Sequence, residues 1–205
     1  MKKFIILILA LMLISCGGDE RGIDIGETTA QISLKNTEPP PPDIMDTASD
    51  MFPVFDSITR AMEYHGVRYS DEPLFVWQTL IMMVNYGGET DGLSVPAELI
   101  GDYIAACFGG TAKIPPIAEG MSYNPESFIY TVPQVSGYIY DDFIVEVGDI
   151  LDNGDGTFTA YINFKTADGV IVNQYMFTLK KNPRINAASR NNMMYSVVLA
   201  AELGL

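Results

Sequence analysis

The side chains with the most reactive chemistry in this chain are two thiols and one imidazole. The cysteines are Cys16 and Cys107, and the histidine is His65. A nucleophilic cysteine needs a neighbour that stabilises its thiolate, such as a protonated histidine or another basic group. Cys107 lies in an apolar stretch, Ile104–Phe108, where a free cysteine behaves as a small buried hydrophobe. A dyad of Cys107 with His65 stays open, although an interaction of His65 with a helix dipole is the simpler interpretation.

Carboxylates are plentiful, so a pair of them acting as general acid and base, as in glycosidases, is a second chemistry to consider. The candidates are Glu98, Asp102, Asp141, Asp142 and Asp149. Adjacent carboxylates such as Asp141 and Asp142 are more simply the solvated start of a strand. The sequence motifs of serine hydrolases, P-loop nucleotide sites, zinc proteases and Cys-x-x-Cys redox sites are absent from the chain. We therefore expect no catalytic residue, no cofactor and no enzyme activity.

The acidic turn after residue 151 has part of the pattern of a calcium-binding loop. An EF-hand loop needs oxygen ligands at its first, third and fifth positions, glycine at the sixth and glutamate at the twelfth. With Gly156 in the sixth position, Asn153 and Asp155 fill the third and fifth, but Leu151 and Ile162 fill the first and twelfth. Two essential ligands are missing, so the segment predicts a hairpin turn, and we expect no metal site.

The balance of charge restricts the classes of partner. The chain has 12 basic and 26 acidic residues, a formal net charge of −14 at pH 7. Removal of a leader that carries Lys2 and Lys3 makes this charge −16. Such a surface repels nucleic acid and anionic lipid headgroups, and it attracts cationic peptides, basic proteins or divalent cations. We therefore exclude nucleic acid as a partner, while solubility alone is the simplest reason for the charge.

The first sixteen residues have the pattern of an export signal. Two lysines precede an apolar run, Phe4–Ile14, that is shorter than the roughly 20 residues needed to span a bilayer. The run ends in Leu13-Ile14-Ser15-Cys16, which resembles the lipobox of bacterial lipoprotein precursors. The resemblance implies a signal peptide over residues 1–15, cleavage before Cys16 and a diacylglycerol group on its thiol. An ordinary secretory signal with a chance cysteine is the alternative.

The same resemblance implies that membrane lipid holds the protein through Cys16 on the extracytoplasmic face of the cell membrane. Burial of acyl chains contributes about 0.8 kcal/mol per CH₂, so two or more chains give a lasting anchor. In a host with two membranes, Gly17 resembles the outer-membrane pattern, because the inner-membrane retention signal has aspartate there. Residues 16–42 predict a flexible tether, stiffened by the prolines of Glu38–Asp43.

A single folded domain is predicted over residues 43–205. Apolar residues recur at helical spacing over about 44–66, 74–86 and 94–108, with Pro96 in the first turn of the third helix. The period then changes to two, which indicates four strands. These predicted strands cover 143–147, 158–164, 171–179 and 193–203, and Asp168-Gly169 forms a tight hairpin turn between two of them.

The predicted fold class is α+β, with three N-terminal helices packed on a C-terminal antiparallel four-stranded meander. This order of elements is similar to that of the NTF2-like and cystatin-like cone folds. A group of aromatic residues precedes the predicted meander. In one interpretation these residues line a ligand or peptide groove, and in the other they cover the end of the core. They are Tyr123, Phe128, Tyr130, Tyr138 and Tyr140.

The function predicted from these features is that of a membrane-anchored lipoprotein of the cell envelope that acts as a non-enzymatic binding or interaction module. Its partners would be membrane lipid, through Cys16, and an envelope protein or peptide. The alternatives are a cone-fold small-molecule binder or hydrolase with a pocket between helices and sheet, and an enzyme of the cell wall or a regulator of one. Oligomeric state does not follow from the sequence.

Overall fold

The computed structural model describes residues 42–86, 93–110, 112–135, 142–184 and 193–204. All of these belong to one compact unit, Thr37–Leu205. The predicted signal peptide, the lipobox with Cys16, and the tether up to residue 41 lie outside the described residues.

The described chain has three helices: α1 (Pro42–His65), α2 (Pro73–Tyr86) and α3 (Ala97–Phe108). The spacing that predicted α1 places one stripe of it in the core, and Met51, Phe55 and Ile58 are buried there. The three helices that the sequence predicts are therefore confirmed among the described residues.

The predicted start of the third helix at Ser94 was wrong, because Ser94–Pro96 forms a short strand, β1, before α3 begins. The backbone N–H of Ala97, the first residue of α3, donates to the carbonyl of Phe128 at 2.9 Å. A contact from a distant turn therefore caps the helix, and a side-chain cap does not. At the other end Gly109 takes a left-handed conformation, φ 62°, which ends the helix as glycine commonly does.

A small antiparallel sheet, which the sequence analysis did not predict, joins β1 to β2 (Ser122–Asn124) and β3 (Ile129–Thr131). The strand order is β1-β3-β2. Each strand has only three residues, which is too short for a period of two to be recognised. The turn between β2 and β3 contains Phe128, a non-glycine residue at φ 55°.

The second sheet has four antiparallel strands in sequence order, β4 (Phe143–Asp152), β5 (Thr157–Thr166), β6 (Ile171–Lys181) and β7 (Tyr195–Glu202). This confirms the predicted four-stranded meander. Alternate residues of its central strands are buried, as a period of two requires. They are Ala160, Ile162 and Phe164 in β5 and Tyr175, Phe177 and Leu179 in β6.

The turn between β4 and β5 is the hairpin that the acidic segment predicts. The Asp152 carboxylate accepts a hydrogen bond from the backbone N–H of Gly154 at 2.7 Å. The Asp155 carboxylate accepts two from Thr157, one from its backbone N–H at 3.0 Å and one from its hydroxyl at 2.6 Å. These aspartates therefore accept hydrogen bonds from backbone N–H groups of the turn, which is a common role of aspartate in turns.

The turn between β5 and β6 differs in detail from the predicted one. The N–H of Gly169 donates to the carbonyl of Thr166 at 2.9 Å, so the central residues of the turn are Ala167 and Asp168. Gly169 follows them at φ 90°. The predicted tight turn at Asp168-Gly169 is therefore present, and its loop is one residue longer than a two-residue hairpin.

Replacing Gly169 by valine should lower the free energy of unfolding by about 1–2 kcal/mol, because a β-branched residue is strained at positive φ. Apart from the two neighbours in the chain, no heavy atom of the described residues lies within 4 Å of the position that a Cβ would take, so backbone strain is what this substitution tests. Urea unfolding measures the change. Gly169→Asn is the matched control, since asparagine tolerates positive φ better, and equal stability of Gly169→Val and the original chain would contradict this turn geometry.

Candidate functional site

A groove of about 760 Å³ lies beside the last turn of α1 and the edge of the four-stranded sheet. One side is the end of α1 with the loop that leads to α2, and the other is the end of β7 with the residues that follow it. Its lining residues are Met62, Glu63, 66–69, Asn173, Tyr175 and 199–204. Its volume falls in the range of roughly 300–1,000 Å³ that is usual for small-ligand sites.

Two carboxylates meet in this groove through shared hydrogen-bond donors. The hydroxyl of Tyr175 donates to Glu63 Oε1 at 2.7 Å, and Asn173 Nδ2 donates to the same atom at 3.1 Å. Asn173 Nδ2 also donates to Glu202 Oε1 at 2.9 Å. Burial, and then the hydrogen bond to Glu63 and its charge, raise the pKa of Tyr175, so the phenol stays protonated as a donor.

Each carboxylate keeps one oxygen that is free to accept a hydrogen bond. The Oε2 atoms of Glu63 and Glu202 have no hydrogen-bond partner among the described residues. Arg68, also in the lining, is exposed and makes no ion pair with any residue that the structure describes. The groove thus holds two negative charges and one positive charge, and the unused acceptor atoms of the two carboxylates suit a ligand that carries an ammonium or guanidinium group.

Replacing Tyr175 by phenylalanine should lower the free energy of unfolding by about 1.5–3 kcal/mol, because Glu63 loses a donor to its charged carboxylate. Chemical denaturation at neutral pH measures the change. Tyr161→Phe is the control, since the Tyr161 hydroxyl makes no hydrogen bond within the described residues. An equal, small effect of the two substitutions would show that the Tyr175–Glu63 hydrogen bond contributes nothing.

The thiol and the imidazole of the sequence analysis lie outside the groove lining. Cys107 is fully buried, and burial raises the pKa of its thiol, the opposite of what a nucleophilic thiolate needs. His65 is the last residue of α1, and its ring contacts the Tyr64 ring at a centroid distance of 4.4 Å. Burial lowers the pKa of His65, which favours the neutral imidazole over the protonated form that a helix dipole would stabilise.

None of the described carboxylates among the predicted candidates lines this groove. Asp102 pairs with Arg184 at 3.3 Å, and partial burial raises the pKa of Asp102 against the effect of that arginine. Glu98, one turn earlier on α3, raises this pKa further. Asp142 and Asp149 are exposed, and Asp141 lies outside the described residues.

Glu63 and Glu202, which the structure brings together, were missed because they come from opposite ends of the folded part. A usable signal was present in β6. The period of two puts Asn173 on the same face as Tyr175 and Phe177, so an amide stands in line with buried residues. A polar residue in that position requires a polar partner, and the carboxylates supply it.

The aromatic residues before the meander fall into two groups. Tyr123 and Tyr130 contact each other at a centroid distance of 4.5 Å, and Tyr130 also lies 5.8 Å from the Trp77 ring. Tyr130 is buried, so its ring covers part of the core, whereas Phe128 is 64% exposed. Tyr138 and Tyr140 lie outside the described residues.

No family model, curated protein or solved structure matches this chain. In the part of the chain that the structure describes, no helix is both long and apolar enough to cross a membrane.

Proposed function

We propose that this chain is a bacterial lipoprotein, held by lipid on Cys16 at the extracytoplasmic face of a membrane, whose folded part is a non-enzymatic binding module. The targeting half of this proposal is supported by the basic start, the short apolar run and the lipobox-like Leu13-Ile14-Ser15-Cys16. The proline-containing segment that follows provides a tether between the anchor and the folded part.

The observation that supports the binding half is the groove with its two carboxylates. A site of about 760 Å³ that joins apolar residues to unused acceptor atoms can hold and orient a cationic ligand. Neither the Cys107 thiol nor the His65 imidazole is among the lining residues of this groove. Binding without chemistry is the function that these contacts support best.

A small-molecule binder or hydrolase is the second candidate, and the volume of the groove favours it. Glu63 and Glu202 are its acid–base candidates, because Asn173 Nδ2 holds one oxygen of each. Hydrolysis would also require a position for attacking water between the carboxylates. The substitution Glu63→Gln distinguishes the two candidate functions, because it should abolish hydrolysis but only weaken the binding of a cation.

We also propose that the three helices pack together on one face of the meander. The rings of Phe55 in α1 and Phe177 in β6 meet edge to face at 5.4 Å, which supports this arrangement. A Cβ added at Gly109, after α3, would come within 3.1 Å of Val198 in β7, so this end of α3 also approaches the sheet. The likeness to NTF2-like and cystatin-like cones in element order stays a prediction.

Crosslinking in living cells tests the proposed function. A photo-crosslinking amino acid at Leu203, which lines the groove and is 45% exposed, is compared with the same amino acid at Val170, which is 59% exposed in the β5–β6 turn. We expect one envelope partner at Leu203, none at Val170, and loss of the partner in a Cys16→Ser chain. Labelled palmitate should enter the original chain and not the Cys16→Ser chain.

Two results would overturn the proposal. Absence of the lipid label from the original chain would show that Cys16 carries no lipid anchor. Identical adducts at Leu203 and Val170 would show that the groove has no partner of its own.

A further inference from the structure

The groove runs along the β7 edge of the four-stranded sheet, which pairs with no further strand among the described residues. β7 is the last strand of the sheet, with β6 on its other side. Six consecutive residues, Leu199–Gly204, line the groove. Consecutive strand residues point to opposite faces, so a groove can meet all of them only along the backbone edge.

The hydrogen-bond register shows which backbone groups face the groove. The N–H of Leu203 donates to the carbonyl of Gln174 at 2.8 Å, so Leu203 and, two residues earlier, Ala201 bond towards β6. In an antiparallel pair the residues between them direct their N–H and C=O groups to the other side. Ala200 and Glu202 therefore present their backbone groups to the groove, where the described residues offer them no partner.

The unpaired stretch has a defined beginning. The backbone groups of Val197 point away from β6, as those of Ala200 do. The Val197 carbonyl, however, already accepts a hydrogen bond from the hydroxyl of Tyr69 at 2.9 Å. The register then shifts, because Thr178 pairs with Leu199 while Leu179 pairs with Val197. The outward-facing backbone is thus occupied at Val197, whereas from Ala200 onward, within the groove, it has no partner among the described residues.

We propose that the groove binds an extended peptide, which adds to β7 as a further strand and carries basic side chains towards Glu63 and Glu202. The free acceptor atoms of these carboxylates supply the charge complementarity, and the acidic chain as a whole supports it. Main-chain hydrogen bonds to Ala200 and Glu202 give the affinity, as in other cases of strand addition. This inference rests on the proposed function and names the class of its ligand.

The two faces of β7 specify the pattern of the peptide. Glu202 pairs with Tyr175, so its side chain lies on the face that carries the carboxylate cluster. Leu199 pairs with Thr178 and lies on the opposite face with Leu203, and both are half exposed. A strand added at this edge alternates in the same way, so basic and apolar residues should alternate along it.

Binding of short synthetic peptides to the full chain in detergent tests this inference. The probes are acetyl-Lys-Val-Lys-Val-Lys-amide, its glutamate counterpart, and two forms N-methylated on the lysines or on the valines. Only one set of N–H groups can face β7, so we expect one N-methylated form to bind at least about tenfold more weakly and the other to bind unchanged. Equal effects of the two methylation patterns, or no effect of either, would overturn strand addition.

Charge recognition is tested with the unmodified lysine peptide. Glu202→Gln and Glu63→Gln should each weaken binding by about fivefold to tenfold, whereas Glu126→Gln, at the exposed tip of the β2–β3 turn, should not change it. Equal binding of the lysine and glutamate peptides would overturn the basic specificity. If no peptide binds while Leu203 still crosslinks to one partner in cells, this inference fails and the proposed function stands.

Discussion

Replacing Arg60 by methionine should lower the free energy of unfolding by about 3–5 kcal/mol at pH 7, because it leaves a buried carboxylate without its cation. Arg60 Nε lies 2.9 Å from Asp56 Oδ1 and 3.0 Å from Oδ2, one turn away on α1. Both side chains are 8% exposed. Arg60 also donates to the carbonyl of Phe143 at 3.3 Å, so the substitution releases the start of β4 as well.

The double variant Asp56→Leu with Arg60→Met is the matched control. Removing both charges together eliminates the uncompensated carboxylate, and apolar replacements of similar volume often restore the stability of a buried pair. We expect the double variant to unfold at a urea concentration closer to that of the original chain than Arg60→Met does. A double variant as unstable as the single one would show that packing of Arg60, rather than its charge, is what matters.

The same pair predicts a dependence on pH with a defined sign. Burial raises the pKa of Asp56, while Arg60 lowers it in part. Without Arg60 the pKa of the folded state rises further above the ordinary value of 3.8. When a carboxyl has a raised pKa in the folded state, the free energy of unfolding of the protein decreases as pH rises through that pKa. The difference in the free energy of unfolding between Arg60→Met and the original chain should therefore become smaller as pH falls from 7 towards 4. An equal loss of unfolding free energy at pH 7 and at pH 4 would contradict this prediction.

The parts of the fold that the sequence predicted are those in which one residue type recurs with one period. Met51, Phe55 and Ile58 mark a helix by their spacing, and Phe158, Ala160 and Ile162 mark a strand. The two hairpin turns were predictable as well, because Asp155 and Gly169 determine the turns through local hydrogen bonds and backbone conformation. The three-residue strands β1 to β3 have no such period, and their pairing of Val95 with Tyr130 is a contact between distant segments.

The candidate site could not be predicted in the same way. Its carboxylates come from α1 and β7, and only the fold brings Glu63 and Glu202 to the amide of Asn173. The carboxylates that lie near each other in sequence, Glu98 and Asp102, belong instead to the surroundings of Arg184. Ligand sites are built from converging elements, so spacing along one element is a poor guide to them.

The side chain of Trp77 joins α2 to the segment that carries the small sheet. It is buried, and its indole Nε1 donates to the carbonyl of Pro116 at 2.7 Å. Its ring lies 5.8 Å from that of Tyr130 in β3. One residue therefore fills core volume, satisfies a loop carbonyl and packs against the small sheet.

Replacing Trp77 by alanine should lower the free energy of unfolding by about 3–5 kcal/mol, because a large buried side chain leaves a cavity that the surroundings fill only in part. Trp77→Phe should cost less, about 1–3 kcal/mol, since a ring remains but the Pro116 carbonyl loses its donor. Leu74→Ala, at an exposed position of the same helix, should stay within about 0.5 kcal/mol. Circular dichroism is the readout, because the chain has no other tryptophan. If Trp77→Ala were as stable as Leu74→Ala, α2 would not hold the small sheet through this residue.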